Sequence, residues 1–274
     1  MLSLKNGKAF QNMKNKLWQI LQYLLYLPRC IHLHGIHSPF VFELHHELFK
    51  EKAAYYAFDE IESIRAKLLL TQKKLVVKDL GAGSNVHTSN KRSIQAIAKA
   101  SLKPAKTAQL LFRIVRYFKP SKLVELGTCF GITSAYLAKA NPKGQLTTLE
   151  GASELIQVAK LNFSKLDLKN ITQAHGNFDD ILEQELSKLK KVDFIFFDGN
   201  HQKEPTLRYF EQALKFADEK SVFVFDDIYW SKEMTAAWKI IKAHPKVTVS
   251  IDCFAMGVVF FKKDQAKEHF TVYH

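Results

Sequence analysis

Cysteine is scarce. Cys30, Cys129 and Cys253 are the only three in 274 residues, at spacings that suit neither a disulfide framework nor a zinc cluster. The scarcity excludes a disulfide-stapled secreted scaffold and predicts a reduced, cytoplasmic setting. Long apolar runs are missing too: Leu17–Leu27 is interrupted by Gln19 and Gln22 and is too short to span a bilayer. The N-terminus does not show the order of a secretory signal. Acidic residues are short in one half alone. Residues 1–122 hold 21 Lys and Arg against 7 Asp and Glu, whereas residues 123–274 hold 19 against 20. The formal charge of +13 therefore sits in the first half. Such an excess attracts nucleic acid, an acidic small molecule or a membrane surface, or else it only solvates Lys-rich helices.

What is present is a chain with 47% hydrophobic residues, enough to bury a sizeable core. Residues 122–151 organise it. Leu123–Leu126 reads as a short strand, Gly127 and Gly131 break it into a loop, and Ile132–Ala140 reads as a helix. Glycines at such a turn let the backbone approach a ligand and leave helix N-terminal amides free. A second strand, Gln145–Leu149, ends on Glu150, 25 residues after Glu125. An acidic side chain at that tip can accept both hydroxyls of a ribose, which makes this a nucleoside-binding crevice. The spacing Glu-x-Gly-x-x-x-Gly departs from the Gly-x-Gly-x-x-Gly of dinucleotide sites. Glu125 would repel a pyrophosphate but suits a cationic amino-acid end.

Strands continue at Ile171–Ala174, Val192–Phe197 and Ser221–Phe225, with helices over Ala152–Phe163, Glu204–Phe216 and Ser231–Ala243 between and after them. Val247–Cys253 and Met256–Lys262 read as a closing hairpin around Phe254-Ala255. Thr107–Lys119 is an amphipathic helix that should pack against the sheet.

The stretch from Glu125 to Glu150 resembles the first motifs of class I S-adenosylmethionine-dependent methyltransferases, and the resemblance covers about residues 105–262. It implies an α/β, Rossmann-like fold: a seven-stranded, mostly parallel sheet with an antiparallel last strand, extended here by N-terminal helices. It also implies a division into residues 1–104, a mostly helical extension that caps the site or binds a partner, and residues 105–274, the cofactor-binding domain. By the resemblance Glu125, Gly127 and Gly131 line the methionine end of S-adenosylmethionine with Thr128 beside them. Glu150 holds the ribose next to Gly151, and the turn with Asn177 and Phe178 contacts the adenine. Asp198 belongs to the same set.

Glu125, Glu150, Asp198, Asp226 and Asp227 all fall at strand ends, where open parallel sheets bind ligands. So many carboxylates in one crevice call for a cation. Asp198, Asp226 and Asp227 offer three hard oxygen donors, suited to Mg²⁺ or Mn²⁺ and not to zinc. The placement resembles the catechol and caffeoyl-CoA type of metal-dependent O-methyltransferase. Two departures stand out: Asp227 replaces the family's Asn, and His201 stands where those enzymes place a Lys base. Asp198 and His201 are the catalytic candidates, since an imidazole titrates near the working pH. Trp230 and Tyr229 could wall an acceptor.

The preceding residues carry their own signals. Phe10–Leu27 has apolar residues at helical spacing, Phe10, Met13, Leu17, Ile20, Leu21 and Leu24, and suits either its own domain or a membrane surface. Five of eleven histidines fall between His32 and His46, where Ser38-Pro39 looks like a helix start. Capping or cleft-facing histidines suit that run better than a metal site. Asp79-Leu-Gly-Ala-Gly83 imitates a first methyltransferase motif but lacks a following strand with an acidic tip. It reads as a tight loop before a helix over Lys91–Ala100, or as a loop over the mouth of the site with Lys91 and Arg92 facing an anionic substrate.

The function expected is O-methylation of a small or lipid-like acceptor, with a metal assisting. RNA methylation driven by the basic half is an alternative, although no Asn-Pro-Pro-Tyr-type motif follows the fourth strand. A non-catalytic cofactor-binding scaffold is another.

Overall fold

The structure, a computed structural model, describes residues 2–31, 36–51, 53–77 and 90–273. The Gly81-Ala-Gly83 loop and His32 and His34 lie outside the described residues.

In chain order, α1 (Leu2–Tyr26) leads to α2 (Pro39–Leu44), which Ser38 caps through Val41 N–H and which continues as a wider turn over His45–Phe49. Helix α3 (Tyr56–Leu70) precedes a two-stranded antiparallel ribbon, β1 (Lys74–Val77) with β2 (Asn90–Ser93). Then come α4 (Ile94–Ser101) and α5 (Ala105–Phe118). Lys91 and Arg92 were expected to open a helix; they lie in β2 instead, because Ser93 is the residue that caps α4, accepting from Ala96 N–H.

The second half alternates β3 (Lys122–Leu126), α6 (Ile132–Ala140), β4 (Gln145–Glu150), α7 (Ser153–Lys165), β5 (Ile171–His175), α8 (Phe178–Leu189), β6 (Phe194–Phe197), α9 (Lys203–Leu214), β7 (Val222–Asp226) and α10 (Lys232–Ala243). It closes with β8 (Val249–Asp252), β9 (Met256–Phe260) and β10 (Glu268–Thr271). The sheet order is β10-β8-β9-β7-β6-β3-β4-β5. Strands β3 to β7 are parallel to their neighbours among themselves, and β9 runs antiparallel between β7 and β8.

Seven strands were expected in this sheet, and eight are present among the described residues. The addition is β10, which pairs in parallel with β8 and turns Phe270 and Val272 inward. Its ladder is extended by Glu268 N–H on Thr248 and Val272 N–H on Asp252. A four-residue strand that opens on Glu and His carries too little pattern to be read locally, but the otherwise open edge of β8 offers it a ladder.

Apolar residues fill both faces of the sheet. On one, Leu110, Leu111, Ile114 and Val115 of α5 meet β-strand residues such as Phe194, Phe196 and Val224, joined by Val41, Leu44 and Leu48 of the extension. On the other, α8, α9 and α10 cover Val124, Ile195, Phe223 and Phe225. A third cluster joins Ile61, Ile64, Ile97 and Ala98 of the extension to Phe112, Ala135 and Tyr136. Helices α2, α3 and α4 are thus packed onto the sheet and its helices.

Candidate functional site

At the carboxyl ends of the central strands lies a cavity of about 480 Å³. The turn after β3 makes its floor. Gly127 has φ +101, and a Cβ there would overlap the carbonyl oxygen of Asp198, so only glycine lets β3 and β6 close so tightly. Cys129, also left-handed at φ 46, presents its N–H to Glu150 Oε2 at 2.9 Å. Ala152 N–H binds Glu150 Oε1 at 3.0 Å. Two backbone amides therefore aim the Glu150 carboxylate at the tip of β4.

Gly151, Asn177 and Phe178 join Glu150 along the same wall. Asn177 caps α8 by accepting from Asp179 N–H at 3.1 Å. The Phe178 ring packs under Gly199, where a Cβ would strike it, and stands edge-on to Tyr209 with centroids 6.1 Å apart. Leu155 of α7, Val77 of the ribbon and Trp230 supply further apolar lining.

Three expected cofactor residues lie beneath the cavity rather than in its wall. Glu125 is fully buried, accepting from Ser134 and, at 2.7 Å, from Thr148. Burial pushes its carboxyl up to about 8, against the weaker pull of those hydroxyls, so it is mostly protonated at neutral pH. Thr128 is buried on Thr148, oxygen to oxygen 2.6 Å. Gly131 starts α6 at φ +76 against the ring of Phe163. These three shape the loop.

The acidic end differs most from expectation. Asp198, after β6, and Asp226, ending β7, both accept from the ammonium of Lys103, with Asp198 Oδ1 at 3.2 Å. Asp226 is 1% exposed. Burial raises the Asp198 carboxyl, while Lys103 and His201 pull it back down. His201 Nε2 lies 3.6 Å from Asp198 Oδ1 and 3.9 Å from Asp227 Oδ2.

Asp227 was expected among the metal donors. It lines the cavity, but among the described residues the group close enough for a shared ion is Asp198, His201 and Asp226, with donor atoms within 4.8 Å of one another. Two of those three donors already hold Lys103. A divalent ion does not fit there with the ammonium in place.

Lys103 is the cavity residue that sequence reading missed. It sits in the link between α4 and α5, and nothing in its neighbourhood refers to strand ends in the second half. Lys91 and Arg92 do not line the cavity. Among the described histidines of the 32–46 run, none lines it either.

Comparison with known proteins is consistent with this geometry. Residues 124–228 match a family described as a methyltransferase domain. No curated protein sequence matches the chain. Among solved structures, the O-methyltransferase TomG from Streptomyces achromogenes, in complex with SAM, is similar at 20% identity. The match covers 59% of this chain and 82% of that one, with a TM-score of 0.50. An O-methyltransferase from Bacillus cereus in complex with SAH is 18% identical over 80% of this chain and 96% of that one, TM-score 0.52. The SAH-bound methyltransferase PaMTH1 of Podospora anserina is 13% identical over 83% and 97%, TM-score 0.55. At these identities the likeness is one of fold.

Proposed function

From the premise that residues 124–228 are a methyltransferase domain of class I fold, we propose an S-adenosylmethionine-dependent O-methyltransferase acting on a small or lipid-like acceptor. The carrying observation is the Glu150 carboxylate, set by two backbone amides at the tip of β4 beside a wall of Gly127, Asn177 and Phe178.

Glu150 would hold the ribose, Asn177 and Phe178 the edge and face of the adenine, and the Gly127 turn the amino-acid end. When bound, the sulfonium supplies an activated methyl group: the acceptor oxygen bonds to the carbon as the carbon–sulfur bond breaks, and the sulfur keeps the electron pair. His201, partly exposed in the cavity lining and near Asp198 and Asp227, takes the acceptor's proton. Trp230 offers an apolar wall to the acceptor.

A lipid-like acceptor is supported by α1. Gln19 donates to the Trp230 carbonyl at 3.1 Å, which places the helix beside the cavity mouth, while Leu17, Ile20, Leu21 and Leu24 face solvent. No helix among the described residues is long and apolar enough to cross a membrane. Surface contact is the form such an association would take. RNA methylation has less support, because several basic residues of the first half face the protein's own acids: Lys103 as above, Arg65 on Glu62, and Lys139 just beyond it on Glu60. Three unpaired thiols suit the cytoplasm. The described helices within residues 1–104 serve as a cap on residues 105–274, since the two share apolar clusters.

Calorimetry with S-adenosylmethionine, followed by an acceptor screen that detects S-adenosylhomocysteine, tests the reading. Binding and turnover of a hydroxylated acceptor are expected. A folded chain that binds no S-adenosylmethionine overturns it.

A further inference from the structure

We infer that Lys103 is the resident cation of the acceptor site, standing where a divalent ion would otherwise sit between Asp198 and Asp226, and that methyl transfer here needs no metal. The inference rests on the methyltransferase reading for the acceptor alone; the occupancy of the acidic pair is independent of it.

The ammonium is where it would have to be. It lines the cavity, it contacts both aspartates, and its side chain is only 11% exposed. An ammonium carries three N–H donors, and the two aspartates take two, which leaves one for an acceptor oxygen.

The backbone that delivers Lys103 is held in place. Arg65 Nη1 donates to the Lys103 carbonyl at 2.6 Å. Arg65 is itself buried and fixed to Glu62 through Nε, 2.9 and 2.8 Å from the two carboxylate oxygens. Glu62 in turn accepts from Tyr136 of α6 at 2.8 Å. The chain Tyr136–Glu62–Arg65–Lys103 ties the α4–α5 link to the catalytic half. A merely solvated surface lysine would need no such support. Removing only the amine would leave Asp198, His201 and Asp226 as three donors within 4.8 Å of one another, close enough to share a divalent ion.

The test measures Mn²⁺ binding by the free-ion electron paramagnetic resonance signal, using the full chain, Lys103→Met and Lys103→Arg. Circular dichroism checks the fold of each. Lys103→Met is expected to bind Mn²⁺ roughly tenfold or more tightly than the wild type, and Lys103→Arg no more tightly than it. Asp226→Asn added to Lys103→Met should abolish the gain. Mn²⁺ binding by the wild type equal to that by Lys103→Met overturns the inference, and so does a folded Lys103→Met that binds no Mn²⁺. Should Lys103→Met not fold, Lys103→Gln replaces it with the same outcomes. Wild-type turnover in excess chelator should be unchanged. Calorimetry with S-adenosylmethionine on the same samples separates a failure of the methyltransferase reading from a failure of this one.

Discussion

Helices α1 and α5 carry apolar residues at the same spacing and use them in opposite ways. In α5, Leu110, Leu111, Ile114 and Val115 turn onto the sheet and are at most 1% exposed, whereas in α1 Leu17 is 62% and Leu24 61% exposed. Helix α1 docks instead through its other side. Trp18 donates to Thr235 at 3.2 Å, Gln19 to the Trp230 carbonyl, and Tyr26 to the Val272 carbonyl. The receiving surfaces explain the contrast. Beneath α5 lies an apolar sheet face, while α1 meets a rim of carbonyls, a hydroxyl and the rings of Phe254 and Tyr229. Helical spacing states that a helix has two faces and leaves open which one the protein covers.

The same contrast extends to charge. The basic first half sends Lys103 into the cavity and Arg65 into the packing beneath it, while α1 keeps Lys14 and Lys16 exposed beside its leucines.

The largest effect should come from the tightest place in the catalytic half. Gly127→Val forces a branched side chain into φ +101 against the Asp198 carbonyl. It should cost about 3–4 kcal/mol in urea unfolding and abolish cofactor binding in calorimetry. A folded variant of wild-type affinity would show that β3 and β6 do not need that contact.

Glu150→Ala comes next. It removes charge-assisted hydrogen bonds worth roughly 1.5–3 kcal/mol, a loss of about ten- to a hundredfold in S-adenosylmethionine affinity. Unchanged affinity in a folded protein would move the ribose elsewhere.

A smaller, pH-dependent effect belongs to Glu125. Its folded carboxyl holds a proton up to about 8, whereas the unfolded one releases it near 4.5, so the wild type loses stability as pH rises between those values. Glu125→Gln does not titrate. Its melting temperature should gain on the wild type's from about pH 5 to about pH 8, and parallel curves would mean that Glu125 is ionised in the fold.

The smallest stability change is expected in α1. Leu17→Glu with Leu24→Glu should stay within about 0.5 kcal/mol of the wild type, because both side chains are already in water. The same pair should remove binding to vesicles containing anionic lipid, binding that weakens with salt. A large loss of stability would mean that the exposed face is covered in solution, as in a dimer, and an analytical ultracentrifuge would then show one.

Much of the catalytic half was legible because its signals are local. The helix Ile132–Ala140 was read with its observed bounds, and the strands ending on Glu125-Leu126, Glu150, Phe197 and Asp226 were read to within a few residues. Each is an apolar run closed by a turn, a pattern complete within ten residues. Strand β10 was missed because its pairing is with a strand formed elsewhere.

The sequence by itself determined the order of strands and helices from β3 to β9, the glycine turn after β3, and the acidic tips that gather at one edge of the sheet. These follow from spacing, left-handed backbone and the polarity of strand ends, all of which act between near neighbours. Only the tertiary structure decided what neutralises those tips. Lys103 reaches Asp226 across 123 residues, held by an arginine from a different helix, and no local periodicity encodes a contact made between distant segments. It also decided that Glu125 lies under the floor while Glu150 stands in the wall. Both are acids at strand ends, and what separates them is burial, a property of the packed whole.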